Sequence, residues 1–377
     1  MTKNFINKLL TLVLGSTLVL GILGCGGSEP DTTSAGSMST PRWGHSATIL
    51  NDGKLLVVGG QERLSGRVGT AEIYDPASNA WSAAANMIDP RGKKHSAVLL
   101  SDGKVMVMGD SETGTVEIYD PASNTWTATG SLNKPRNNIS VTLLNDGRVL
   151  AAGGEDATKT GTLPLNTAEV WDPSSGEFSV TASMEQDHSG VPSVLIGDKV
   201  LIVGRYIGEL YDPSTGTWSS AGTPNRERAQ GAVAVVMNDG KVMITGGEFI
   251  RSGWVGANTV PLMGTEIYDP ATSTWTETSN MIEPRKFHDS AVLNDGRVIV
   301  LGPSDDNMVI DVYEPNSVEE IKWPTIGVLA ENRGESYTAS VLNDGRVIVV
   351  GGFFINEDKK TRAIGTAEIF DPNAVAK

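Results

Sequence analysis

One cysteine and four histidines are spread over 377 residues. A lone thiol excludes any disulfide within the chain and any zinc site built from cysteines. No Asp-x-Asp-x-Asp loop occurs, so the many aspartates do not form a calcium array. Helix-period hydrophobic patterns are absent after the N-terminus, which leaves an all-β reading for the rest. Basic residues are also scarce, with 30 Lys and Arg against 45 Asp and Glu and a formal charge of −15. Such a surface is repelled by phosphate, which argues against nucleic acid as a partner. It suits a solvated extracellular surface.

Turn residues are abundant instead, with 43 Gly and 18 Pro. They punctuate a repeated unit, first seen from Pro41 to Trp81. Ser46–Leu50 reads as a strand, and Asn51-Asp52-Gly53 as a tight hairpin turn. Leu55–Val58 is an unbroken apolar run, as expected of a strand covered on both faces. Gly59-Gly60 ends it. Glu72–Tyr74 is a third strand closed by Asp75-Pro76, and Trp81 opens a fourth.

Six further copies follow, seven in all. The Asp-Gly turn recurs at Asp102, Asp146, Asp239, Asp295 and Asp344, and inverted as Gly197-Asp198. The Asp-Pro turn recurs at Asp120, Asp172, Asp212, Asp269 and Asp371, with Glu314-Pro315 in its place once. A period near fifty residues with these landmarks resembles the kelch repeat, whose copies form propeller blades. The resemblance covers roughly residues 31 to 373. It implies an all-β fold: one seven-bladed kelch-type β-propeller over residues 34–377. Thr33–Met38 matches the fourth strand and exit of the second copy, Thr127–Leu132, while the last copy lacks a fourth strand after Asp371-Pro372. The ring is therefore expected to close by pairing this N-terminal strand with the last blade, removing two exposed edges.

Residues 1–24 resemble a bacterial lipoprotein signal, with Lys3 and Lys8 before the short apolar stretch Leu9–Leu20. Ile22-Leu23-Gly24-Cys25 resembles a lipobox, which implies lipidation of Cys25. Residues 25–33 then form a lipidated tether, and the expected location is the cell envelope, outside the cytoplasm and anchored to a membrane.

Hairpin topology places the Asp-Gly and Asp-Pro turns on one rim. The loops between second and third strands, and the links between blades, fall on the other. Loops of variable length on a rigid frame commonly carry binding. Of the 8 Trp, 7 Tyr and 7 Phe, thirteen occupy repeat positions and Phe5 belongs to the signal. The remaining eight are Trp43, Tyr206, Phe249, Trp254, Phe287, Tyr337, Phe353 and Phe354, and all fall on the variable rim. Their rings are candidates for stacking on sugars or holding an apolar peptide side chain. Arginines in the blade links, Arg42, Arg91, Arg136, Arg226, Arg285 and Arg333, are a candidate ring for a carboxylate or sulfate ligand. The alternative is that they bond loop carbonyls. His45, His95 and His288 share one repeat position and read as structural hydrogen-bonders, while His188 falls out of phase with them.

These features favour a non-catalytic binding module for a glycan or an extracellular protein, with no cofactor, no metal and no catalytic residue assigned. Galactose oxidase shares the seven-bladed kelch-type domain, but the copper chemistry of that family needs a cysteine–tyrosine cross-link, and the only cysteine here is in the lipobox. A kelch-type enzyme resembling sialate epimerase is an alternative, with Glu155, His188, Glu227 and Glu248 as candidate groups, although that family has six blades. An envelope scaffold is the third reading.

Overall fold

A computed structural model describes residues 32–63, 66–161, 163–250, 259–304, 307–317, 322–355 and 361–374. The signal, Cys25 and Trp254 lie outside the described residues.

Seven four-stranded antiparallel sheets are arranged around one axis. Blade one comprises Ser46–Ile49, Leu55–Val58, Ala71–Asp75 and Ala80–Ala84. Each sheet keeps this order from inside to outside. The inner strand of every blade packs against the inner strands of the blades before and after it, and that of blade seven (Thr338–Val341) returns to that of blade one. The chain is a closed seven-bladed ring, as the repeat count predicts.

Closure uses the expected segment. Thr33–Ser37 pairs antiparallel with the third strand of blade seven, Thr366–Phe370. Ala35 is fully buried between blades seven and one. Its carbonyl accepts the indole N–H of Trp81 at 2.8 Å, so the closing strand is also fastened to blade one.

The turns explain why the repeat is so regular. In blade one Gly53 donates its N–H to Leu50 O at 2.9 Å, and Asp52 Oδ1 accepts from Lys54 N. The glycine alone takes a left-handed conformation, at φ 83°, so the turn needs Gly at that one position. Asp75 accepts the N–H of Ala77 and starts the third-to-fourth-strand turn, and Asp120, Asp172, Asp212 and Asp269 do the same in blades two to five.

There is no single central core. Seven apolar clusters lie between successive sheets. The second strands are buried, as in Leu55–Val58 and Val298–Leu301, save for the exposed Lys199 that opens the one in blade four. They pack on both faces, which is why they read as continuous apolar runs. In five blades the third-strand Tyr meets a Trp at 4.9–5.2 Å between ring centroids. In blade six that Trp, Trp323, comes just before the outer strand Thr325–Val328, and a bulge shifts the pairing there.

Candidate functional site

The blade links enter the ring on the variable-loop face, so their side chains bear first on any site there. Arg42, Arg91, Arg136, Arg285 and Arg333 do not face solvent; each is 0–1% exposed. The Arg136 guanidinium donates to Gly153 O at 2.8 Å, Thr167 O at 2.8 Å and Glu169 Oε1 at 2.8 Å. Glu169 in turn accepts the backbone N–H groups of Asn133 and Lys134. One ion pair therefore ties together the end of the second strand, the start of the third and the incoming link. The same latch recurs as Arg42–Glu72, Arg91–Glu117, Arg285–Asp311 and Arg333–Glu368. Burial pulls the Arg136 guanidinium below its ordinary pKa, and Glu169 opposes that shift. These arginines are buried latches rather than a ring of anion ligands, because their N–H groups point into their own blades.

The latch corrects a further assignment. In blade five the latch is Arg228, which pairs with Glu266 at 2.9 Å and is 2% exposed. Arg226 lies at the surface beside Glu277. In blade four His188 takes the arginine's place, with Nε2 2.8 Å from Glu209 Oε1. Burial raises the Glu209 carboxyl, but hydrogen bonds from His188 and from the N–H groups of Glu185 and Gln186 outweigh it and leave the pKa below its ordinary value. A sequence signal marks all seven positions. Each lies four residues after Met38, Met87, Leu132, Met184, Pro224, Met281 or Leu329, and each faces a recurring third-strand acid.

His45, His95 and His288 join neighbouring blades, as their shared repeat position predicts. Their Nε2 atoms are hydrogen-bonded with Thr338, Ser46 and Thr245 hydroxyls at 2.6–2.9 Å. Burial pushes their pKa values down to about 3, 4 and 3 respectively. They are neutral at pH 7.

At the mouth of the axis Gly44, Lys93, Gly190, Gly231, Phe287 and Ser336 ring a depression of about 300 Å³. Phe287 holds a left-handed backbone, φ 51°, where blades one, four and five place Gly44, Gly190 and Gly231. A bulky residue there costs of order 1–3 kcal/mol. Its N–H donates to Gly231 O, and its ring is 38% exposed with the Lys286 ammonium 5.6 Å away. Trp43 and Tyr337, by contrast, are packing residues. Trp43 is 4% exposed and meets Phe353 at 4.8 Å, and Tyr337 is buried with its hydroxyl donating to Leu301 O. Phe249 is half-buried in a short hairpin opposite Val260. Phe354 is exposed on the hairpin of blade seven.

A second concavity, about 390 Å³, lies off the axis over blade four and includes Glu155, Asp187, Arg205, Tyr206, Gln230 and Ile250 in its walls. It follows from loop lengths. Blade four crosses from Val203 to Gly208 in a four-residue turn closed by Gly204 N–H to Ile207 O. Blade three rises beside it through Glu155-Asp156, and blade five through the hairpin Glu248–Ile250 and Thr259–Pro261. Tyr206 is 47% exposed, with the Arg205 guanidinium 4.8 Å from its ring centroid.

This cleft gathers Glu155 and His188, two of the four acid–base candidates. Glu227 pairs with Arg205 at its edge. The carboxylate of Glu155 accepts from Lys94, Asn138 and Ser189. Burial raises its pKa, and these bonds more than reverse the effect. Glu248 is buried against Lys286 at 3.0 Å. Glu155, Glu227 and Glu248 are thus held in ion pairs with Lys94, Arg205 and Lys286, and His188 is hydrogen-bonded with Glu209. Among the described residues no group of His, Cys, Asp or Glu side chains is placed to hold a metal ion.

Closed ring, seven sheets and sevenfold latch define a seven-bladed β-propeller. Residues 42–88 match the Kelch motif. Kelch-like protein 38 of Danio rerio is 30% identical over 151 residues, 40% of this chain and 24% of that protein. Human Kelch-like protein 23 is 28% identical over 264 residues, 69% of this chain and 37% of that protein. The chain therefore matches between about a quarter and two fifths of the length of these relatives. A fungal alcohol oxidase of the AA5 family, solved in complex with copper, superposes with a TM-score of 0.71 at 18% identity, covering 92% of this chain and 76% of its own. YjhT superposes with a TM-score of 0.58 at 14% identity, covering 77% of this chain and 98% of its own. At these identities the two structures speak to fold alone. The chain is a kelch-repeat β-propeller.

Proposed function

We propose that this propeller is a non-catalytic binding module, lipid-anchored through Cys25 outside the cytoplasm, which takes a glycan or an extracellular protein on its variable-loop face. One observation carries this reading. Tyr206, Phe287 and Phe354 are large exposed rings on that face, whereas on the opposite rim blades one to five repeat the same short third-to-fourth-strand turn. Exposed rings on loops over a rigid frame are suited to recognition. The buried arginines no longer supply a reason to favour an acidic ligand.

The test compares wild type, a Tyr206→Ala/Phe287→Ala double variant and an opposite-rim control, Ser101→Arg, on a glycan array and against envelope proteins. Binding lost in the double variant and kept in the control supports the reading. Binding unaffected by the double variant, or no binding to any glycan or envelope protein, refutes it. Palmitate labelling of the wild type but not of Cys25→Ser is the expected result for the anchor, and equal labelling refutes it.

A further inference from the structure

We infer that the off-axis cleft over blade four is a site for a neutral pyranose sugar, with Tyr206 as its stacking platform; this rests on the binding reading above. The cavity of about 390 Å³ falls within the range of about 300–1,000 Å³ usual for small-molecule sites. It is roofless because blade four has the short turn, and walled because blades three and five have the long ones. It is therefore a built concavity and not a gap between side chains.

The chemistry of the walls selects the ligand class. Tyr206 offers an amphipathic ring suited to the C–H face of a sugar, with a hydroxyl that bonds to its edge. Arg205 stacks on that ring and is tied by its guanidinium to Glu227, so the platform is braced from beside. Gln186 and Gln230 line the same cleft, and each amide offers both a donor and an acceptor, which matches vicinal hydroxyls. Charge then excludes acidic sugars. Among the described residues Arg205 is the Lys or Arg side chain that lines the cleft, and it is engaged by Glu227, while Glu155 is already satisfied by Lys94, Asn138 and Ser189. The exposed Asp187 adds a negative charge, which repels a carboxylate ligand. The axial mouth, with Lys93 and Lys286 beside its aromatic rings, is a different chemical environment.

The experiment is saturation-transfer NMR on the full chain in detergent, with lactose, cellobiose and maltose as probes and sialyllactose as the acidic counterpart. The expected result is transfer to ring protons of at least one neutral disaccharide. The signal should fall at least fivefold in Tyr206→Ala, survive in Tyr206→Trp and in the opposite-rim control Ser101→Arg, and be weaker for sialyllactose. Transfer unchanged in Tyr206→Ala, or lost equally in Ser101→Arg, overturns the assignment to this cleft. No transfer to any neutral disaccharide overturns the ligand class. The broader binding reading fails separately, through the array and envelope comparison, so the two failures are distinguishable.

Discussion

Truncating one latch arginine, Arg136→Ala, is expected to cost about 3–5 kcal/mol of folding stability. Arg136 is fully buried, and Glu169 lies opposite it with 1% of its side chain exposed. Removing the guanidinium leaves that carboxylate in the interior without its cation, and strips a donor from both Gly153 O and Thr167 O. Breaking a buried pair from one side typically costs about 3–5 kcal/mol, because the remaining charge is uncompensated. With an m-value of about 3 kcal/mol/M, a loss of about 4 kcal/mol lowers the urea midpoint by about 1.3 M. Arg136→Lys should fall between, since one ammonium cannot reproduce a fork that reaches two carbonyls and a carboxylate together. Arg226→Ala is the internal control. Arg226 is a surface residue beside Glu277, and its loss should cost less than about 1 kcal/mol. Urea unfolding followed by tryptophan fluorescence reads all three variants. Equal midpoints for Arg136→Ala and Arg226→Ala would refute the latch. So would an Arg136→Ala protein of wild-type stability that had lost only ligand binding, which is the behaviour of an exposed anion-binding arginine.

Two further outcomes follow from the same structure. Asp289, in the wall of the axial channel, accepts the Ala339 N–H at 2.7 Å, and burial raises its pKa to about 6. A carboxyl raised in the folded state favours folding below its unfolded pKa of about 3.8 and loses that contribution as pH rises through about 6. Asp289→Asn should therefore gain about 1–2 kcal/mol over wild type at pH 8 and nothing near pH 3.8, where urea midpoints at the two pH values provide the check; an equal gain at both would sink the idea. The closing strand gives the other prediction. Deleting residues 33–38 exposes the edge of Thr366–Phe370 and opens the cluster around Ala35, Leu55 and Ile369. Hydrogen exchange should then quicken in blades seven and one together, whereas quickening confined to blade seven would show that the strand is an accessory.

The repeat itself made the architecture legible. Asp-Gly and Asp-Pro turns at fixed offsets force hairpins, and second strands covered on both faces must be apolar throughout, so strand order and blade number could be read along the chain. The closing strand was readable too, because Thr33–Met38 carries the pattern of an outer strand, and it pairs with Thr366–Phe370. Local chemistry determined these features, since each turn depends on residues within a few positions of it.

What a given arginine or aromatic does is not local. Arg226 and Arg228 stand two residues apart, and only the pairing of Glu266 against the incoming link decides that Arg228 is the latch and Arg226 a surface residue. The four-residue spacing from the preceding apolar residue was present as a signal for Arg228 and His188, but its meaning depends on a third-strand acid 21 to 38 residues further on. Trp43, Phe287 and Tyr337 all stand in the links that precede first strands, but their fates part once the ring closes: Trp43 meets Phe353 from blade seven, Tyr337 meets Leu301 from blade six, and Phe287 is left at the axial mouth. The cleft over blade four likewise belongs to no single repeat, because its floor is a short turn and its walls are supplied by the blades on either side. The sequence by itself determined the blades and their turns; which rings, charges and loops share a surface was decided only when seven copies were bent into a circle, because that brings residues distant along the chain within bonding distance.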